Sequence, residues 1–311
     1  MQTVSSPGWL VLYVAVLVAA GAGPARAHGT GLAIGPGEVW HHWSLDLWMI
    51  LLLAFGIGLY GSGVLRLWRR AGWGRGVSPA RVAAFLAGQI ALIVALVSPL
   101  DPLGETLLTV HMIQHGILIT VAPLLLLLGL PGAVMSWALP AYVRRRLARS
   151  SHLRHVGAGF SWMIRPLPAA ALHGAVLWLW HMPMAFQAAL ASGALHVLEH
   201  VSFFTSALLF WYGLFVASRG RLTAGAAIAA AFITMMHSGF LGVLMTFAPA
   251  MLYEWYLGRT ALWGLTPLED QQLAGLVMWV PMGLVYLVAG LATSARFLAV
   301  TQEASSPDFT S

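Results

Sequence analysis

Residues 107–130 read LLTVHMIQHGILITVAPLLLLLGL, an apolar run in which the main polar side chains are His111, Gln114 and His115. A membrane-spanning helix needs about 20 predominantly apolar residues, so the run predicts such a helix. Polar groups inside a bilayer are costly and usually functional. The run therefore predicts both the class of fold and the region where a functional site lies.

The composition of the whole chain is that of a polytopic membrane protein. Of its 311 residues, 59% are hydrophobic and 8% are charged, whereas a soluble domain carries about 25% charged residues. Cysteine is absent, which excludes disulfides and thiolate metal sites. Any bound metal must therefore be held by histidine, methionine or carboxylate. The net charge of +6 comes from arginine alone, and its placement, described below, indicates topology and anionic lipid rather than nucleic acid as a partner.

The predicted fold is an all-α bundle of about seven membrane helices. Residues 9–22 and the Ala25-Arg26-Ala27 pattern predict a signal peptide over residues 1–27, with an uncleaved first span as the alternative. An outer segment (28–44), a membrane domain (45–297) and a disordered cytoplasmic tail (298–311) follow. The predicted spans lie at about 45–65, 82–98, 105–129, 168–182, 195–217, 224–247 and 270–293.

Arginine predicts the orientation of these spans. The arginines cluster in the loops after the first, third and fifth spans and in the tail, whereas the other loops together hold only Arg259. By the positive-inside rule the arginine-rich side is cytoplasmic. The sequence thus predicts a multi-pass protein of the cell inner membrane with its N-terminus outside and its C-terminus in the cytoplasm.

Six histidines fall in the outer half of the predicted spans. His111 and His115 are spaced i, i+4, as are His196 and His200, so each pair lies on one helix face. His181 ends the fourth span, and His237 lies about ten residues deep in the sixth. Six imidazoles that must be satisfied without water indicate a metal, cofactor or proton role. A further histidine, His173, is interpreted as a buried hydrogen-bonding group.

Methionines and acids accompany these histidines. Met112, Met182 and Met278 are candidate accessory ligands, because thioether together with imidazole suits copper. The acids are ambiguous: Asp101, Glu105 and Glu269 fit either helix caps or an acidic vestibule that attracts cations at the outer mouth. Glu199 lies between His196 and His200 and is expected to orient a histidine on a neighbouring helix.

The sequence resembles the CtaG-type family of cytochrome c oxidase assembly factors. The similar stretches are WSLDLWMILLL, SPLD with HMIQHGILITVAPLLLLLGLP, WLWHMPMAFQAALASGALHVLEHVSFFTSALLFW, and WGLTPLEDQQLAGLVMWVPMGLVYL, which together cover most of residues 43–290. The resemblance implies a role in maturing caa-type oxidases at their copper centre. The family's histidine motifs correspond to His111, His115, His181, His196 and His200.

Three functions are compatible with these residues. The first is a copper-binding assembly factor that is not an enzyme and passes copper to an oxidase subunit or receives it from another copper chaperone. The second is a haem-binding or quinone-linked redox protein, with axial ligands such as His115 and His200 taken from the two pairs. The third is a proton or ion transporter. Against transport, only His173 continues the polar path toward the cytoplasm.

Overall fold

The computed structural model describes residues 33–149, 161–217 and 221–305. The predicted signal peptide lies outside the described residues, as do the start of the outer segment, part of the arginine-rich loop after the third span, and the end of the tail. The described part is helical. Its helices are α1 (Leu47–Ala71), α2 (Pro79–Leu96), α3 (Leu100–Gly104), α4 (Leu108–Leu128), α5 (Pro131–Ala138), α6 (Ala141–Arg149), α7 (Pro166–His181), α8 (Pro183–Ala191), α9 (Gly193–Phe215), α10 (Arg221–Thr246) and α11 (Pro267–Ser305).

Six of the described helices are long and apolar enough to cross a membrane: α1, α2, α4, α9, α10 and α11. The all-α, multi-pass architecture predicted from the sequence is therefore confirmed. The remaining predicted span, 168–182, corresponds to α7, which has only 16 residues. At 1.5 Å per residue α7 is about 24 Å long, somewhat less than the hydrocarbon core. It ends at His181 because Pro183 opens the next helix.

Helix α4, which contains the HMIQH motif, is the most buried of these six helices. It packs against α2, α9 and α11. Pro123 has no N–H to donate, which deprives the carbonyl of Ile119 of its helical partner. The helix widens into a π-helical turn at Ile117–Val121, and the indole Nε1 of Trp211 on α9 donates to the Ile119 oxygen at 2.8 Å. This bond ties together the two helices that carry the histidine pairs.

A buried carboxylate fixes the start of α4. Asp270, near the beginning of α11, accepts hydrogen bonds from the backbone N–H groups of Leu108 at 2.6 Å and Thr109 at 3.1 Å. The first N–H groups of a helix have no partner within it, and a carboxylate there also complements the helix dipole. Asp270 of α11 thus caps the N-terminus of a different helix, α4.

At one end of the described chain the outer segment packs on the bundle, and at the other end α11 extends to Ser305. The outer segment is anchored over α3 and α4, because Ile34 N–H donates to Thr106 and Trp263 donates to the Ile34 carbonyl. Helix α11 continues to Ser305, beyond the boundary at 297 after which the sequence predicts disorder. Residues 298–305, LAVTQEAS, contain no glycine or proline that would end a helix.

Candidate metal centre

The two histidine pairs face each other across the contact between α4 and α9. The ring centroids lie 4.3 Å apart for His111 and His115, and 4.2 Å apart for His196 and His200. Between the helices, His111 is 5.5 Å from His196 and His115 is 5.6 Å from His200. The i, i+4 spacing put each pair on one helix face; the packing of α4 on α9 brings the two pairs into a single cluster.

Glu199 extends from α9 into this cluster. Its carboxylate is fully buried and lies 3.9 Å from Nε2 of His111 and 3.7 Å from Nε2 of His115. Both separations exceed hydrogen-bond length. One ligand atom from each of His111, His115, Glu199 and His200 lies within 4.8 Å of all the others. Ligands of one tetrahedral ion with bonds of about 2.1 Å are roughly 3.4 Å apart, so a small contraction would complete such a site.

Several polar atoms of the cluster have no hydrogen-bond partner within the described part of the chain. Both ring nitrogens of His115, Nε2 of His181, Nε2 of His200 and both oxygens of Glu199 are buried without a hydrogen-bond partner there. Buried polar groups are normally hydrogen-bonded, and a buried carboxylate is costly unless it is paired. A cation held between these atoms would satisfy several of them together, so the residues present fit a metal ion.

His181 is oriented with its Nε2 available as a ligand. Its Nδ1 lies 2.7 Å from the Leu177 carbonyl oxygen, which can only accept, so the proton resides on Nδ1 and the lone pair on Nε2. The ring centroid is 6.0 Å from that of His115. The backbone carbonyl of His181 accepts a bond from the Tyr253 hydroxyl at 2.9 Å. A hydrogen bond from Nδ1 to a backbone carbonyl is the kind of outer-shell contact that fixes the tautomer of a metal-binding histidine.

A second group of ligand atoms adjoins the first. Asp101, His196 and His200 each offer one atom within 4.8 Å of the other two. The Asp101 carboxylate accepts from the Ser44 hydroxyl at 2.6 Å and from the Gln114 amide at 2.7 Å. Gln114, the carboxamide of the HMIQH motif, also donates to the Ala95 carbonyl at 2.8 Å. Gln114 therefore positions an acid beside the cluster.

Aromatic rings enclose the histidines on two sides. Phe186 lies 5.0 Å from His111 and 4.4 Å from Tyr253 by ring centroids. The Tyr256 hydroxyl donates to the Gly104 carbonyl at 2.9 Å, which holds the 248–266 loop onto α3. On the cytoplasmic side of the predicted topology, Phe203 lies 4.6 Å from His115 and 5.9 Å from His181. These rings shield the cluster from water, which strengthens electrostatic interactions within it.

The other candidate ligands lie in different surroundings. His237, on α10, lies against Gly174 of α7 and belongs to neither group of ligand atoms. Met182 is 55% exposed, whereas Met112 and Met278 are buried in the apolar core. Glu269 is exposed, and it forms with Thr266 the capping box that its sequence context suggests.

Glu105 is half-buried at the edge of the site, just before α4. Burial raises the pKa of its carboxyl to about 7, and the nearby Asp101 carboxylate contributes to the same shift. Arg259 opposes the shift by favouring the charged form. An arriving cation would favour ionisation of Glu105 in the same way, so its location is compatible with the predicted acidic vestibule.

His173 is a buried, hydrogen-bonded histidine, as expected from its place in the sequence. Its Nδ1 lies 3.0 Å from the Ser206 hydroxyl and its Nε2 lies 3.2 Å from the Tyr286 hydroxyl. Its ring packs on Phe210 with centroids 5.6 Å apart. Both ring nitrogens are therefore engaged away from the cluster.

A comparison with known protein families found a match that covers most of the chain. The family model described as cytochrome c oxidase caa3 assembly factor (Caa3_CtaG) matches residues 58–299. This range is well over half of the chain and includes both groups of ligand atoms. A search of curated proteins and a search of solved structures gave no match. The chain therefore belongs to the cytochrome c oxidase caa3 assembly factor family.

Proposed function

We propose that the protein binds copper in the His/Glu cluster and delivers it to an oxidase during assembly. The observation that carries this proposal is the convergence of His111, His115, Glu199 and His200 around unsatisfied, buried ligand atoms. Copper is the cargo of this process, and the chain needs no turnover chemistry. The family's role in oxidase assembly supplies the reason for choosing copper among the metals that imidazole accepts.

The shape of the cluster favours a single ion over haem. A porphyrin with two axial histidines needs those ligands on opposite sides of an open slot. Here, His111, His115, His196 and His200 surround a small volume, with neighbouring ring centroids 4.2 to 5.6 Å apart. Phe186 and Phe203 pack directly against the same rings. Imidazoles converging in this way suit one metal ion rather than a macrocycle.

The position of the cluster favours loading from one face. The ligands lie near the N-terminal ends of α4 and α9, and Phe203 separates them from the hydrogen-bonded His173. With the orientation predicted by the arginines, the cluster lies toward the outer side of the cell inner membrane. A site that ends at aromatic rings suits storage and delivery to an outer oxidase domain or exchange with another copper chaperone better than transport.

Arginines line a pocket on the face that the proposed orientation assigns to the cytoplasm. Arg66, Arg69, Arg70 and Arg144 surround a cavity of about 300 Å³. Trp137 lines this cavity, and the guanidinium groups of Arg70 and Arg144 stand 5.7 and 4.3 Å from its ring. Basic pockets at the cytoplasmic surface suit lipid phosphates, so anionic lipid is the proposed partner on this face.

Metal and haem analysis of the purified protein tests the proposed function. The full-length chain in detergent should bind Cu(I) or Cu(II) in at least stoichiometric amount, measured by elemental analysis after removal of loosely held ions. Its absorption spectrum should lack a Soret band. A strain without the protein should produce oxidase with reduced copper content. Failure to retain copper in either oxidation state, or a haem spectrum, would contradict the proposal.

Glu199→Gln is expected to change which oxidation state the cluster prefers. Glutamine keeps the shape of the side chain but removes its charge, and a carboxylate favours divalent ions more than soft Cu(I). Because the glutamine amide oxygen can still act as a ligand, we expect the affinity for Cu(II) to fall by only about 10- to 100-fold, with a smaller loss for Cu(I). Competition with chelators for each ion measures the two changes. An equal loss for both ions would show that Glu199 does not contribute through its charge.

A further inference from the structure

The two groups of ligand atoms described above share one residue. We call His111, His115, Glu199 and His200 the deep group, and Asp101, His196 and His200 the shallow group. All four members of the deep group are buried, whereas Asp101 and His196 are each partly exposed. His200 belongs to both groups. The cluster therefore contains two adjacent sets of ligands that differ in their access to the surroundings.

The shallow group lies nearer the end of the bundle. His196 is in the first turn of α9, which begins at Gly193, and His200 follows one turn deeper. Asp101 belongs to α3, which precedes α4 and lies outside the membrane-spanning helices. His115 lies one turn deeper in α4 than His111. An ion that moved from the shallow to the deep group would thus pass from partly exposed ligands to fully buried ones, with His200 next to both positions.

The contacts of Asp101 place it in position before any ion arrives. Its two carboxylate oxygens are held separately, by Ser44 from the outer segment and by Gln114 from α4. Gln114 stands between His111 and His115 in sequence, so the acid of the shallow group is braced by the helix that carries two ligands of the deep group. Ligands held by outer-shell contacts keep their geometry and lose less entropy on binding.

We infer that the cluster is a two-position path along which a metal ion is captured by Asp101, His196 and His200 and then passed to His111, His115 and Glu199, with His200 bound throughout. This inference rests on the proposed function, because it concerns the same cargo. A shared ligand lets each metal–ligand bond be exchanged singly, so the ion is never released inside the bundle. The three-ligand shallow group exchanges its ion quickly, and the four-ligand deep group retains it.

The rate of copper uptake tests whether the cluster holds the ion at two positions or at one. The probe is Cu(I) supplied as a coloured chelator complex, whose absorbance falls as the full-length protein takes up the ion. His196→Gln and Asp101→Asn remove ligands of the shallow group alone, and His111→Gln removes a ligand of the deep group alone. His237→Gln is the matched control, because His237 belongs to neither group. Melting temperatures of all variants in detergent show whether each one folds.

The shallow-group variants should retain the equilibrium affinity for Cu(I) within about threefold while uptake and release slow by at least about tenfold. His111→Gln should lower the affinity by about 100-fold or more, yet keep a rapid initial uptake phase. The control should resemble the unsubstituted protein. Asparagine at position 101 can preserve both contacts, since the Ser44 hydroxyl can also accept a bond, and His196→Gln leaves those contacts intact.

Two results would overturn the two-position path while leaving copper binding in place. One is uptake by the shallow-group variants at the unsubstituted rate. The other is loss of affinity in these variants as large as in His111→Gln, which would indicate one site that uses all the ligands. If the unsubstituted protein takes up neither Cu(I) nor Cu(II), the proposed function fails together with this inference. The two results above overturn the inference alone, so the two failures are distinguishable.

Discussion

His115→Gln is expected to abolish tight copper binding and to reduce the copper content of the oxidase in cells. His115 is buried among the other histidines of the cluster: its ring lies 4.3 Å from His111, 5.6 Å from His200 and 6.0 Å from His181 by centroids. Its Nε2 is also 3.7 Å from the Glu199 carboxylate. The substitution removes an imidazole ligand from the deepest part of the cluster.

His115→Gln should lower the affinity for copper more than loss of an outer-shell partner of a ligand would. Removing an outer-shell partner of a metal ligand costs about 10- to 100-fold in affinity, so loss of the ligand itself should exceed about 100-fold. Competition against a Cu(I) chelator measures the change in the purified protein, and metal analysis of the purified oxidase measures the consequence in cells. Glutamine keeps a polar side chain of similar length, which limits the disturbance of α4.

His237→Gln is the control for this prediction. It removes a histidine of comparable predicted depth that packs against Gly174 rather than joining the cluster. We expect its copper affinity to remain unchanged. If both variants bind copper like the unsubstituted protein, the cluster is not the binding site. If both lose copper equally, His237 is part of the metal site in the functional protein.

The sequence predicted the histidine pairs because helical periodicity is a local property. The i, i+4 spacing places His111 beside His115 and His196 beside His200 without any knowledge of tertiary structure. Whether the pairs converge depends on how α4 packs against α9, which no spacing encodes. Glu199 approaches His111 and His115 on the neighbouring helix, but at distances longer than a hydrogen bond, so the expectation that it orients a histidine stays a prediction.

Some features of the site depend on contacts distant in sequence. The aromatic 248–266 loop is typical of a segment at the lipid headgroups, but Tyr253 and Tyr256 are buried and bond to His181 and Gly104. Met182 follows His181 directly, yet it is exposed because the chain leaves the helix there in an extended conformation. Adjacency in sequence is thus a poor guide to which thioethers accompany an imidazole.

Gly275→Ala is expected to destabilise the bundle at the contact between α10 and α11. A Cβ atom at position 275 would lie 2.6 Å from the Gly242 carbonyl oxygen and 2.7 Å from the Thr246 nitrogen, both in the backbone of α10. Small residues let membrane helices approach this closely. Because backbone atoms cannot rotate away, the helices must separate, and overpacking of this kind costs about 1–3 kcal/mol. Thermal unfolding in detergent should show a lower midpoint.

Gly283→Ala is the matched control on the same helix. No atom lies within 4 Å of a Cβ built at Gly283, so alanine should be neutral there or should raise stability by up to about 1 kcal/mol through helix propensity. Helix α11 also carries Asp270, which caps α4 through Leu108 and Thr109. Displacing α11 at Gly275 should therefore weaken copper binding as well, although no ligand has been changed. Equal stability of the two variants would show that α10 and α11 are not in close contact at Gly275.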